Sequence, residues 1–311
     1  MRIYSIFDDF DLQAIELIKE AGGFITIHPV GVPRPDHNQM KKILEEYDCI
    51  IIGTSQRITE DMFDNINSPR IIATASVGVD HISIPRDKCK LVTIINTPKA
   101  NAQSVAEFTI GSALLCAKRF IEGYDIYKDG KDNKSLHRKP EDLSGKVLGI
   151  IGAGNISQCI INYALFFGMR IICWTRNPAK HIELEQKNVQ FVSLETLVKT
   201  ADVISVNLPS NVDTKRIISS KLVDLMKPIA IFISVSRIDV VDYEALLKKA
   251  ESDPNFYVCL DIDVNDEIKK QLPLKCSNVL ITPHVAGGTI ETRKRMFVEL
   301  AEHISTIILG A

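Results

Sequence analysis

Val147-Leu-Gly-Ile-Ile-Gly-Ala-Gly-Asn-Ile-Ser157 decides the fold of this chain. Its first five residues form the apolar run of a strand covered on both faces, and two glycines end it. Gly152 permits a tight turn, and Gly154 lets a pyrophosphate approach the backbone. The anion then rests on the amino end of the next helix, which opens at Asn155 and Ile156. Ser157 stands where a third glycine would serve close helix–strand packing, a need its small side chain partly meets. Alone, the turn is compatible with an ordinary strand-turn-helix. Gly168-Met-Arg-Ile-Ile-Cys-Trp174 strengthens it by supplying a second strand, with a helix over residues 156–167 between, which completes a βαβ unit.

About 20 residues beyond its glycines, an NAD-binding unit usually carries Asp or Glu for the ribose 2′-hydroxyl. Here the chain reads Trp174-Thr-Arg-Asn-Pro178. No carboxylate stands in that stretch to repel a 2′-phosphate. Arg176 offers it charge-assisted bonds and Thr175 a hydroxyl, with Asn177 beside them. The expected cofactor is therefore NADP(H), with NAD possible. The competing reading makes Arg176 a solvated surface residue.

With 311 residues, 45% hydrophobic and 24% charged, the chain is globular and long enough for two domains. A formal net charge of -2, without a basic block or an aromatic RNA-binding motif, argues against nucleic acid as a partner and for a small metabolite. No apolar stretch reaches membrane-spanning length, and the early charge in Met-Arg-Ile-Tyr-Ser-Ile-Phe does not suit a secretory signal. No membrane partner and a cytoplasmic location are expected. The seven cysteines are scattered without a C-x-x-C pair, which points to reduced core residues and to neither a zinc site nor a disulfide framework.

Strand and helix alternate in two blocks. Strands are predicted over residues 2–7, 24–28, 49–53, 71–75 and 92–96, with helices over 10–21 and 38–46. A long helix begins near Ala102, apolar from Ser104 to Arg119, and residues 127–144 read as irregular and exposed. The second block continues through strands at 171–174, 203–208, 230–234, 257–262 and 279–282, and a last helix covers 290–309. The fold class is α/β with two doubly wound parallel-sheet domains. A Rossmann cofactor domain (102–282) is inserted into a flavodoxin-like substrate domain (1–101 and 283–311). Crossings near Asn101 and Pro283 would form a hinge about which the outer domain closes.

Several motifs now fall in a recognisable order: Ser76-Val-Gly-Val-Asp-His81, Ser104-Val-Ala-Glu107, the glycine turn, Asn207-Leu-Pro209, Ser234-Val-Ser-Arg237, Leu260-Asp261 and Thr282-Pro-His-Val-Ala-Gly287. Over nearly its whole length the chain resembles the D-isomer-specific 2-hydroxyacid dehydrogenases, a family that includes glyoxylate/hydroxypyruvate reductases and D-3-phosphoglycerate dehydrogenase. The resemblance implies hydride transfer between a nicotinamide and a small 2-keto or 2-hydroxy acid such as glyoxylate or hydroxypyruvate. It also implies a homodimer paired through the cofactor domain, for which the apolar helix near Ser104 to Arg119 is a suitable surface.

That reaction leaves negative charge on a carbonyl oxygen, which must be protonated. His284 is the candidate acid, because an imidazole titrates near working pH and a neighbouring carboxylate favours its charged form. Arg237 is the candidate grip on the substrate carboxylate and polariser of the carbonyl. The family's His-orienting Glu falls within Asp261-Ile-Asp-Val-Asn-Asp-Glu-Ile268, where Glu267 is favoured for reach and Asp266 competes by position. The resemblance further implies an anion nest at Val77, Gly78 and Val79 for the substrate carboxylate. Cofactor contacts are implied at Thr109, Leu208, Pro209, Val235, Ser236, Asp261, His284 and Gly287, with Thr109 and Asp261 near the nicotinamide. Ile238 stands where the family has a glycine, and a left-handed backbone there would strain a β-branched residue. Two alternatives stay open: D-3-phosphoglycerate dehydrogenase, and a non-catalytic dinucleotide sensor resembling the corepressors that share this fold.

Overall fold

The computed structural model describes residues 1–262 and 277–310, arranged as two units. The first comprises Met1–Asn101 and Thr289–Ala311, the second Ala102–Gly288, so the chain returns to the first unit six residues beyond Pro283.

In the first unit, strands β1 (Arg2–Ser5), β2 (Phe24–Ile27), β3 (Cys49–Ile52), β4 (Arg70–Thr74) and β5 (Val92–Ile95) form a parallel sheet ordered β2-β1-β3-β4-β5. Helices α1 (Leu12–Glu20) and α2 (His37–Glu46) connect its first three strands. Both start at an aspartate whose side chain accepts first-turn amide hydrogens, Asp11 for α1 and Asp36 for α2; the latter closes a capping box with Gln39. The all-isoleucine run after Cys49 is wholly buried, as a central strand requires.

The second unit holds seven parallel strands in the order β12-β11-β10-β9-β6-β7-β8. These are β6 (Val147–Ile151), β7 (Arg170–Trp174), β8 (Gln190–Phe191), β9 (Val203–Val206), β10 (Ile231–Ser234), β11 (Tyr257–Asp261) and β12 (Val279–Thr282). Alternate residues feed two separate cores. Ile150, Ile233 and Cys259 pack with helices α3 (Ala102–Ala117) and α5 (Asn155–Phe166), whereas Ile151, Phe232 and Val258 pack with residues of the 194–252 helices. Strand order reverses at β6, whose neighbours are β7 and β9, so the glycine turn sits at the topological switch point where open α/β sheets take their ligands.

Two expectations are corrected, and one helix is added. Helix α3 is a core helix, with Val105, Ala106, Ile110, Ala113 and Cys116 all buried, so it is not a free pairing surface. Its small residues suit close packing on α5 rather than an outward face. The exposed apolar face lies on α4 (Phe120–Lys128), a helix the sequence pattern hides: Phe120, Tyr124 and Tyr127 recur at helical spacing and point to solvent. Ile238 carries no strain, because it opens a short 3-10 turn, Ile238–Val240, and is absent from the residues with positive φ.

Candidate active site

Because every strand of the second unit is parallel, the residues that follow their carboxyl ends share one edge of the sheet. In spatial order that edge carries His284 after β12, Asp261 closing β11, Val235, Ser236 and Arg237 after β10, Leu208 and Pro209 after β9, Gly152 and Gly154 after β6, and Thr175, Arg176 and Asn177 after β7. Residues as far apart in the chain as Gly152 and His284 are thereby brought to one edge by sheet order alone.

The glycine turn suits a diphosphate. Gly152 has φ +101°, and a Cβ there would stand 2.8 Å from the Asn207 carbonyl, so only glycine fits. Gly154 caps α5 without any side-chain acceptor, and a Cβ on it would meet nothing within 4 Å. The amino end of a 12-residue helix is thus left open toward an anion. Ser157 is buried in the first turn, and its hydroxyl finds no hydrogen-bond partner among the described residues. That is the cost of a serine where glycine would pack.

At the other end of the edge, His284 is exposed and left-handed, with φ 54°. Its turn hangs on Asp261, whose carboxylate is only 3% exposed. One oxygen accepts from the Thr282 hydroxyl at 2.5 Å and the Val285 amide at 2.8 Å, and the other from the Ala286 amide at 2.9 Å. These bonds grip the chain on both sides of His284. Asp261 therefore holds the histidine turn, its carboxylate accepting three hydrogen bonds from the chain around it. Gly287 continues that turn, with Gly288 bonded back to the Val285 carbonyl.

Arg237 is half-buried in extended backbone immediately after β10. Ser236 is spent internally: its hydroxyl donates to the Val206 carbonyl and accepts from the Leu208 amide, which ties the β9 and β10 ends together. Thr109 is 1% exposed and donates to Val105 O at 2.8 Å, so its side chain packs within α3 instead of reaching outward. Asp266 and Glu267, the candidate partners of His284, lie outside the described residues.

In the first unit, Val77, Gly78 and Val79 follow β4. The Val77 carbonyl accepts from Asn96 and the Gly78 carbonyl from Ser76, while Thr74 bonds both Ser76 and His81. The loop is thus braced through its carbonyls and through the strand-end side chains.

The family model for the D-isomer specific 2-hydroxyacid dehydrogenase NAD binding domain matches residues 110–286. The chain belongs to the D-isomer-specific 2-hydroxyacid dehydrogenases. It is 35% identical over 275 residues to a hydroxypyruvate reductase of Thermotoga maritima, covering 86% of this chain and 87% of that one. Among solved structures, an acyclic imino acid reductase in complex with NADPH and D-Arg superposes with a TM-score of 0.83 at 25% identity, covering 100% and 98% of the two chains. A D-lactate dehydrogenase from Aquifex aeolicus, complexed with NAD and lactic acid, gives 0.80 at 26% identity, covering 100% and 96%. The chain is accordingly an oxidoreductase with a nicotinamide dinucleotide cofactor, and both its domains have the parallel α/β architecture of this family.

Sequence reasoning missed one residue on the edge. Asp213, in the loop after β9, meets Arg176 at 2.5 Å. No local pattern marks it, because it is 37 residues from its partner and only the sheet order joins them.

Proposed function

We propose that this dehydrogenase is a reductase of small 2-keto acids, such as glyoxylate or hydroxypyruvate, that prefers NADPH and forms the D-2-hydroxy acid where the product is chiral. The observation that carries the reading is the His284 turn: an exposed imidazole held in a left-handed backbone by Asp261, on the same sheet edge as Arg237 and the glycine turn. Strain retained at one exposed histidine marks a position where geometry matters.

A bound nicotinamide supplies the hydride to the carbonyl carbon. The chain's own residues do the rest. The Arg237 guanidinium pairs with the substrate carboxylate and draws charge toward the carbonyl oxygen. The His284 imidazolium donates its proton to that oxygen, with Glu267 or Asp266 as its charge partner. In the first unit, the amides of Val77, Gly78 and Val79 are read as an anion nest. Gly154 and the α5 amino end hold the diphosphate, with Leu208, Pro209 and Val235 flanking it, and Arg176 with Thr175 takes the 2′-phosphate. The free thiols among the described cysteines support a reducing, cytoplasmic setting. The exposed α4 aromatics support a homodimer formed through the cofactor unit.

The test is absorbance of the reduced nicotinamide with glyoxylate, hydroxypyruvate or phosphohydroxypyruvate, each against NADPH and NADH, with the product's chirality determined. Consumption of NADPH with either of the first two, giving achiral glycolate from glyoxylate and the D-acid from hydroxypyruvate, is expected. Turnover confined to the phosphorylated acid, or an L-product, would contradict the reading.

A further inference from the structure

The ion pair between Arg176 and Asp213 crosses the cofactor turn. Arg176 follows β7, Asp213 follows β9, and β6 with its glycines lies between those two strands. A ligand seated on the turn therefore meets both charges. The loop that presents Asp213 is stiff. The Asn211 side chain accepts from the Asp213 and Thr214 amides, and the buried Thr214 hydroxyl donates to the Pro209 carbonyl at 2.6 Å and accepts from the Asn211 amide at 2.9 Å. The aspartate is thus held in place by its backbone, while its carboxylate and the guanidinium are 61% and 59% exposed. So exposed a pair is well hydrated and opens readily to a competing ligand.

Two opposite ligand chemistries fit the two ends. A 2′-phosphate is dianionic and suits the guanidinium but not the carboxylate. A ribose 2′-hydroxyl donates a hydrogen bond, which suits the carboxylate; this is the acidic partner that the end of β7 lacks. We propose that Arg176 and Asp213 form a two-way ribose selector, Arg176 taking the 2′-phosphate of NADPH and Asp213 the 2′-hydroxyl of NADH, so that the chain uses both dinucleotides. The inference rests on the reading of this edge as the adenosine-ribose site. It deepens that reading by supplying, from a distant loop, the carboxylate that tempers NADPH preference.

The chain's single tryptophan, Trp174, lies two residues before Arg176, so its fluorescence reports dinucleotide binding without substrate or turnover. Titrations with NADPH and NADH on the wild-type protein, Asp213→Asn and Arg176→Gln test the proposal. Asp213→Asn is expected to weaken NADH about tenfold while NADPH binds as well or more tightly. Arg176→Gln is expected to weaken NADPH about tenfold or more and to spare NADH. If Arg176→Gln behaves so but Asp213→Asn leaves NADH unchanged, or weakens both dinucleotides equally, the selector is overturned and the NADPH reading stands. If Arg176→Gln leaves NADPH binding unchanged, the underlying reading fails and the selector with it.

Discussion

His284 occupies backbone space that costs a histidine on the order of 1–3 kcal/mol, and Asp261 offsets that cost with bonds to Thr282, Val285 and Ala286. Asp261→Asn replaces one acceptor oxygen with a donor, leaving Val285 or Ala286 facing an N–H in a buried place. The variant should lose about 1–3 kcal/mol by chemical denaturation and about tenfold or more in kcat as the histidine turn loosens. An unchanged denaturation midpoint together with unchanged kcat would show that the turn is held by other means. At this scale the sequence is a partial guide. The identities of His284, Arg237 and the turn glycines are legible in the motifs, because the chemistry demands those side chains. The internal bonds of Thr109, Ser236 and Asp261 are not, because a hydroxyl or carboxylate that bonds its own chain reads the same in sequence as one that does not. Ile238 misleads for a related reason: a glycine elsewhere in the family does not mean that this backbone needs positive φ.

The turn from α3 to α4 is made by Arg119, buried and left-handed, whose guanidinium bonds Tyr257, Asn255 and Glu122 and lies over the Tyr257 ring. Glu122, 4% exposed, also takes the Tyr257 hydroxyl and both the amide and the ring nitrogen of His137, which fastens the polar 129–144 segment to the helix. Burial pushes the Glu122 carboxyl up, but the His137 bonds and the Arg119 charge outweigh it and hold the group below its ordinary value. A folded value below the unfolded one contributes stability above about pH 4.3, and that contribution is lost as pH falls through the folded value. Glu122→Gln should therefore cost about 1–3 kcal/mol near neutral pH, and the gap to wild type should narrow in acid. A gap that stays constant from pH 7 to pH 3 would deny the carboxylate this role. The strands read from apolar runs lie within a residue or two of their observed bounds, whereas β8 and the helices at Leu194–Thr200 and Tyr243–Ser252, short or half-exposed, are not legible from such runs. Nor is helix α4, because its aromatic residues face outward and break the buried pattern.

Across the whole molecule, the exposed Phe120, Tyr124 and Tyr127 give the cofactor unit an apolar stripe that suits pairing with a second copy. Sedimentation should find a dimer in wild type and a shift toward monomer in Phe120→Glu/Tyr124→Glu; an unshifted dimer would place the interface elsewhere. The seven-stranded parallel sheet of the second unit delivers what single residues cannot: one edge on which an anion-binding helix end, a guanidinium and an imidazole follow β6, β10 and β12. The claim that His284 is the proton donor on that edge is tested most directly by His284→Gln, assayed for NADPH oxidation with hydroxypyruvate while Trp174 fluorescence reports NADPH affinity. Turnover about 10²–10⁴-fold slower at saturating NADPH, with the dinucleotide still bound, is the expected result. Turnover within a few-fold of wild type would contradict the account.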